Sequence, residues 1–158
     1  MEKILNYING ELVEPIKGKY LDNYNPATGE VYSLVPDSDA EDINKAVAAA
    51  KKAFKTWSKI SKQERSEILL RLADTIENHF DELVVAESKD NGKPESLARA
   101  VDIPRAPINL RFFATAILHF DSEIHEMDGM ALNYTLRQPI GVAACISPWN
   151  LPLYLLTW

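Results

Sequence analysis

Ile43, Val47, Ala50, Phe54 and Trp57 recur at three- and four-residue intervals, the spacing that gathers side chains on one face of an α-helix. Ser38-Asp-Ala-Glu41 ahead of them has the spacing of a capping box. The acidic start of this helix (Asp39, Glu41, Asp42) and its basic end (Lys51, Lys52, Lys55, Lys59) suit the helix dipole, so the charge segregation needs no ligand to explain it. Ser61-Lys-Gln-Glu64 repeats the device, and Ile68, Leu69, Leu72, Ile76 and Phe80 form the next apolar stripe. The helical pattern continues over Asp81 to Lys89 and stops at Asp90-Asn-Gly-Lys-Pro94, where Gly92 can turn left-handed and Pro94 bars continuation. A further helical region begins at Leu97. Pro104 and Pro107 must kink or restart it, after which Ile108, Phe112, Phe113, Ala116, Ile117 and Phe120 mark one buried face.

Strand spacing appears at both ends of the chain. Ile4 to Ile8 and Leu12-Val13 flank Asn9-Gly10, a two-residue hairpin signal, and Tyr24-Asn-Pro-Ala-Thr-Gly-Glu30 marks a turn before the strand-like Val31 to Val35. After a turn at Met127-Asp-Gly-Met130, Leu132, Tyr134 and Leu136 alternate with polar residues, the pattern of a strand with one face buried. Val142 to Ile146 is continuously apolar and suits a strand buried on both faces, as in a parallel sheet. Ser147-Pro-Trp-Asn150 breaks it, and Pro152 sits near the first turn of a following helix. The class is α/β. Asn150 therefore falls beyond the carboxyl end of a strand, where ligands bind in open α/β sheets. Its uncharged amide offers two donors, the equipment needed to hold an oxyanion, but Asn is also a preferred helix cap. Pattern alone leaves both readings open.

Composition narrows the function classes. At 158 residues and 46% hydrophobic content the chain can form one domain with a sizeable core, and its net charge of −6 argues against a nucleic-acid footprint. The single cysteine, Cys145, cannot make an internal disulfide, and its place in an apolar strand predicts a buried, inert thiol. Met1-Glu-Lys-Ile-Leu-Asn6 lacks the apolar core of a signal peptide, which makes a cytoplasmic setting the expectation. His79, His119 and His125 are scattered without a second ligand at metal spacing, so no metal site is expected. Ile140 to Trp158 contains no charge, which admits either a truncated larger protein or a membrane tail anchor. Pro148, Asn150 and Pro152 at its centre favour truncation and no membrane partner.

Four stretches carry a family resemblance. Asn25-Pro-Ala-Thr-Gly-Glu30, Asp90-Asn-Gly-Lys-Pro94, Pro139-Ile-Gly-Val142 and Ile146-Ser-Pro-Trp-Asn-Leu-Pro152 resemble segments of the NAD(P)-dependent aldehyde dehydrogenases, and Ile146 to Trp158 looks most like the 2-hydroxymuconic and 2-aminomuconic semialdehyde branch. The resemblance implies the N-terminal part of that fold: β-hairpin and helices of the cofactor-binding domain over residues 1–121, an oligomerisation strand segment over 122–139, and the first strand and loop of a Rossmann-like core over 140–158. It implies oxidation of a small-molecule aldehyde to a carboxylic acid with NAD as cofactor in a homo-oligomer, a cysteine thiolate attacking the carbonyl before hydride leaves to the nicotinamide. Asn150 would then donate to the oxyanion, Ile146, Ser147 and Trp149 would line the cofactor's approach, and Leu151 would form part of the substrate tunnel wall.

The resemblance also places Arg105 at the tunnel's border. Most arginines are solvated or make a structural ion pair, but a planar guanidinium binds both oxygens of a carboxylate, so a carboxylated semialdehyde becomes a sensible substrate. Arg111 is the rival anchor and, next to Phe112-Phe113, reads as more structural. Asp90 matches a position near a monovalent cation in some members. The alternating strand at Leu132 to Leu136 is a candidate oligomer contact or a solvated face. No residue matches the family's nucleophilic Cys, general-base Glu or glycine-containing phosphate loop, so the 158 residues alone are expected to be inactive. Two alternatives are a non-catalytic assembly or tail-anchored protein and a dehydrogenase of another aldehyde branch.

Overall fold

A computed structural model describes residues 1–158. Asn9 and Gly10 both take positive φ (57° and 86°), which closes the expected hairpin between β2 (Asn6–Ile8) and β3 (Glu11–Val13). A separate three-stranded sheet has the order β1-β5-β4: β5 (Glu30–Pro36) runs parallel to β1 (Glu2–Lys3) and antiparallel to β4 (Tyr20–Asn25). The Asn25 to Gly29 stretch is the turn between β4 and β5, with the Asn25 Oδ1 accepting from the Ala27 N–H at 2.9 Å.

Helix α1 (Ala40–Trp57) starts one residue later than its spacing predicts. Asp39 is the cap and Asp42 its reciprocal partner, because Ser38 is engaged elsewhere, its hydroxyl accepting from Asn6 Nδ2 at 2.8 Å. Asp42 is buried and also accepts the Ile16 N–H at 2.9 Å, which ties the helix start to the chain entering the sheet. Helix α2 (Lys62–Asn78) has the expected Ser61–Glu64 box. Helix α3 (Phe80–Asn91) ends at Gly92 with φ 78°. There follow a single turn, α4 (Glu95–Leu97), a π-helical stretch over Ala98–Asp102, and α5 (Ile103–Ala116). The π geometry, in which the Ile103 N–H reaches back to the Ala98 carbonyl, absorbs the change of phase before Pro104 and Pro107, so the helix continues through them.

The stripe that begins on α2 departs from its expectation at one residue, the α5 stripe at most of its residues. Ile76 is buried and Ile68, Leu69 and Phe80 are half-buried as expected, but Leu72 is exposed and Ala73 is buried in its place. On α5 the buried positions are Ile103, Ala106, Pro107, Asn109, Leu110 and Ala114, while Ile108, Phe112 and Phe113 face outward. The helix is apolar nearly all round, and the face with small residues wins because it lets α2 and α5 approach closely. Ala73, Ile76, Ala106 and Leu110 form one core cluster and Val84, Ala98 and Ile103 a second; Leu153 packs against both.

A hairpin of β6 (Ile124–Met127) and β7 (Ala131–Tyr134) follows, with every residue of both strands exposed. The strand expected at Leu132 exists, but neither face is covered. The strand expected at Val142 to Ile146 does not form: no other strand of these residues lies beside it to complete a ladder, and the stretch from Thr135 to Leu151 carries no regular structure apart from turns. Cys145 is accordingly exposed, not buried. Helix α6 (Pro152–Leu156) closes the chain. No helix is long and apolar enough to cross a membrane, and the uncharged run is helical only over those last few residues.

Candidate active site

Asn150 sits in the turn ahead of α6. The N-cap of that helix is Leu151, with φ −140° and no side-chain capping bond, so the Asn150 amide is not spent as a helix cap. Its backbone, by contrast, is held. Asn91 Nδ2 donates to the main-chain oxygens of Trp149 (3.2 Å) and Asn150 (2.9 Å), and the Lys93 ammonium donates to the same Asn150 oxygen at 3.1 Å. Lys93 in turn pairs with Glu87 at 3.3 Å and, at closer range, with Asp102; the three side chains are 8%, 4% and 1% exposed. Asp102 comes from the π-helical stretch and Glu87 from α3, so the turn carrying Asn150 is bound to a buried ion cluster that joins these two elements. Pattern reading found neither Asn91 nor Lys93, because a helix stop explained both positions locally.

Helix α6 is fixed from its other side. Asn109 on α5, itself buried, donates to the Tyr154 carbonyl (3.4 Å) and the Thr157 hydroxyl (3.2 Å). One turn away on α5, Arg105 lays its guanidinium over the Tyr154 ring, 5.7 Å from the centroid, in a shallow cleft with Ala100, Val101 and Ile108. Arg105 is exposed and belongs to none of the chain's ion pairs. Arg99 is committed to Asp81 and Arg111 to both Asp74 (2.7 Å) and Glu77 (2.6 Å). The hydrogen bonds that Arg111 donates, to Asp74 first and Glu77 second, raise its pKa above the ordinary value. The rival anchor is thus occupied by its own helix pair.

Ser147 borders a cleft of about 700 Å³ between the sheet, α3 and α6, together with Tyr32, Asp90, Ile103, Leu153 and Leu156. Ile146 and Trp149, by contrast, point their side chains outward at 94% and 85% exposure. Leu151 is half-buried at the mouth of α6. Asp90 is engaged within the chain: its Oδ1 accepts from the Tyr32 hydroxyl at 2.7 Å and from Asn23 Nδ2 at 3.2 Å. Burial first, and the Asp90 bond second, push the Tyr32 pKa up.

The aldehyde dehydrogenase family model matches residues 13–158, nearly the whole chain. The chain belongs to the aldehyde dehydrogenase family. It is 56% identical over 154 residues to the 2-aminomuconic semialdehyde dehydrogenase of Danio rerio, covering 97% of this chain and 31% of that protein. It is 45% identical over 163 residues to the 2-hydroxymuconic semialdehyde dehydrogenase of Pseudomonas sp. (strain CF600), covering all of this chain and 34% of the relative. Among solved structures, the NAD+ complex of an aldehyde dehydrogenase from Bacillus cereus superimposes with a TM-score of 0.95 at 40% identity, covering 99% of this chain and 32% of that one. The chain therefore spans about a third of the length of these relatives, and its α/β fold is the N-terminal part of the aldehyde dehydrogenase fold.

Proposed function

We propose that the chain is the N-terminal part of an NAD-dependent aldehyde dehydrogenase that oxidises a carboxylated semialdehyde to the carboxylic acid, in the cytoplasm and as a homo-oligomer. The observation that carries the substrate class is the exposed, unpaired guanidinium of Arg105 stacked on Tyr154. Tyr154 follows Asn150 by four residues, a span of at most about 14 Å of chain. In this reading the substrate's carboxylate meets Arg105 and its aldehyde meets the Asn150 amide. That amide is free of a capping role and can donate to the carbonyl oxygen as a thiolate adds and negative charge develops there. A donor of this kind is worth roughly 3 to 4 kcal/mol of transition-state stabilisation. The two muconic semialdehyde relatives support the same substrate chemistry.

Bound NAD+ supplies the hydride acceptor. Ile146, Ser147 and Trp149 line the cofactor's approach mainly through their backbone, Leu151 fits the tunnel wall, and residues 140–158 belong to the cofactor-binding core in this reading. Residues 1–121 are its flanking hairpin and helices. Residues 122–139 are the oligomerisation segment, a role supported by a hairpin whose apolar Ile124, Leu132 and Tyr134 are all uncovered. Cys145 is not assigned as the nucleophile: its burial does not hold, but no residue here matches the family's catalytic cysteine.

The test is Arg105→Ala in the full-length enzyme, assayed on a carboxylated semialdehyde and on a neutral aldehyde of equal length. A hydrogen bond to a charged group is worth about 1.5 to 3 kcal/mol, so kcat/KM on the carboxylated substrate should fall roughly 10- to 100-fold while the neutral aldehyde is spared. Equal losses on both substrates, or no loss on either, would overturn the assignment.

A further inference from the structure

We infer that Asn91 and Lys93 are positioning residues for the oxyanion-binding amide of Asn150, an inference that depends on the reaction proposed above. Neither side chain touches that amide. Both grip the main chain behind it: Asn91 Nδ2 bridges the Trp149 and Asn150 oxygens, and Lys93 Nζ adds a second donor to the Asn150 oxygen. A carbonyl has two lone pairs, and here both are answered, by the last residue of α3 and by a lysine of the loop that follows it.

The lysine's other bonds decide how firmly it holds. An ammonium has three N–H donors; one goes to Glu87, one to Asp102 and the third to Asn150. None is left over, so the ammonium cannot swing away from Asn150 without unpairing a buried carboxylate. The loop is also fixed at its backbone, by the Ser88 hydroxyl donating to the Lys93 carbonyl at 2.6 Å and by the left-handed turn at Gly92. The Asn150 backbone is thus keyed to a buried ion cluster in the helical core, while its side chain stays unconstrained by a cap. That arrangement suits a donor that must meet a developing charge in fixed geometry without being consumed by the fold.

A purely structural role would lower stability and leave the Asn150 contribution intact. Single-turnover rates of NADH formation therefore separate the two in a double-mutant cycle on the full-length enzyme, comparing Asn91→Ala, Asn150→Ala and the double variant. Asn91→Asp, which keeps the volume and loses the donors, serves as the second probe should Asn91→Ala fold poorly. The expected result is a rate about tenfold lower for the Asn91 variant, with NAD+ affinity within about twofold of wild type, and no further loss when it is added to Asn150→Ala. An unchanged rate, or the same tenfold factor in the Asn150→Ala background, overturns the positioning role and leaves the reaction standing. An unchanged rate in Asn150→Ala alone overturns the reaction assignment and this inference with it.

Discussion

Replacing Lys93 by Met in the full-length protein removes the ammonium from a site where Glu87 and Asp102 have side chains 4% and 1% exposed. The methionine keeps most of the apolar stem, so the loss falls on charge compensation. Removing one partner of a buried ion pair is worth about 3 to 5 kcal/mol, because it leaves an uncompensated buried charge. Taking about 4 kcal/mol and roughly 1.4 kcal/mol per decade, amide-exchange protection across α3 and the Ala98–Asp102 stretch should fall on the order of a thousandfold. Hydrogen exchange read by mass spectrometry localises the effect to these elements within a larger protein. The triple variant Glu87→Gln, Lys93→Met, Asp102→Asn carries no uncompensated charge and should recover at least half of the loss in free energy. If the single variant stays within about tenfold of wild type, or the triple is no better than the single, charge compensation does not hold this junction together.

Three further outcomes follow from separate parts of the chain. Gly92→Ala forces a side chain into a φ of 78° and places its Cβ 2.9 Å from Pro26 Cβ, so it should destabilise by about 2 kcal/mol or more in urea unfolding, and a loss below about 0.5 kcal/mol would contradict the geometry. The Glu64 carboxyl is held below its ordinary pKa of 4.5, first by the Ser61 N–H and then by the Ser61 hydroxyl. A depressed carboxyl pKa gives stability that is present above pH 4.5 and lost as pH falls through the lower folded-state value; Ser61→Ala keeps the N–H donor and removes the hydroxyl, so an NMR titration should show the Glu64 midpoint move part of the way up, and an unmoved midpoint refutes the hydroxyl's contribution. Residues 1–158 expressed alone should produce no NADH from aldehyde and NAD+, and turnover that Asn150→Ala lowers would refute that expectation.

What could be read from the chain in advance was the part governed by neighbours in sequence. Asn9-Gly10, Ser61 to Glu64 and Gly92 each act within four residues, and each does in the structure what its chemistry predicts. The misses came from competition at longer range. Ser38 lost the cap of α1 because Asn6 claimed its hydroxyl, and Asp42 gained the reciprocal role because Ile16 also needed its carboxylate. On α5, apolar residues on both sides left periodicity without a vote, and the small side chains of Ala106 and Ala114 chose the face by allowing α2 to come near. Val142 to Ile146 has the composition of a doubly buried strand, but a strand is a property of a pair, and no partner lies beside it among these residues.

The candidate site divides along the same line. Arg105 and Arg111 are both cations within one apolar helix; the resemblance and the Phe112-Phe113 pair rank Arg105 first, and the positions of Asp74 and Glu77 on α2 supply the physical reason, since they engage Arg111 and leave Arg105 without an ion pair. Asn150 was visible because a break after an apolar run attracts notice, but the reason its amide is available is that Leu151 takes the cap position. Asn91 and Lys93 were hidden for the opposite reason. A helix that ends in Asn-Gly-Lys-Pro has a complete local explanation, and nothing in that explanation signals that the asparagine and lysine also reach a carbonyl 59 and 57 positions further along. A residue that satisfies a local rule and a distant one together will be read as the local one, so the stops and turns already explained are where a long-range contribution to this site was least visible.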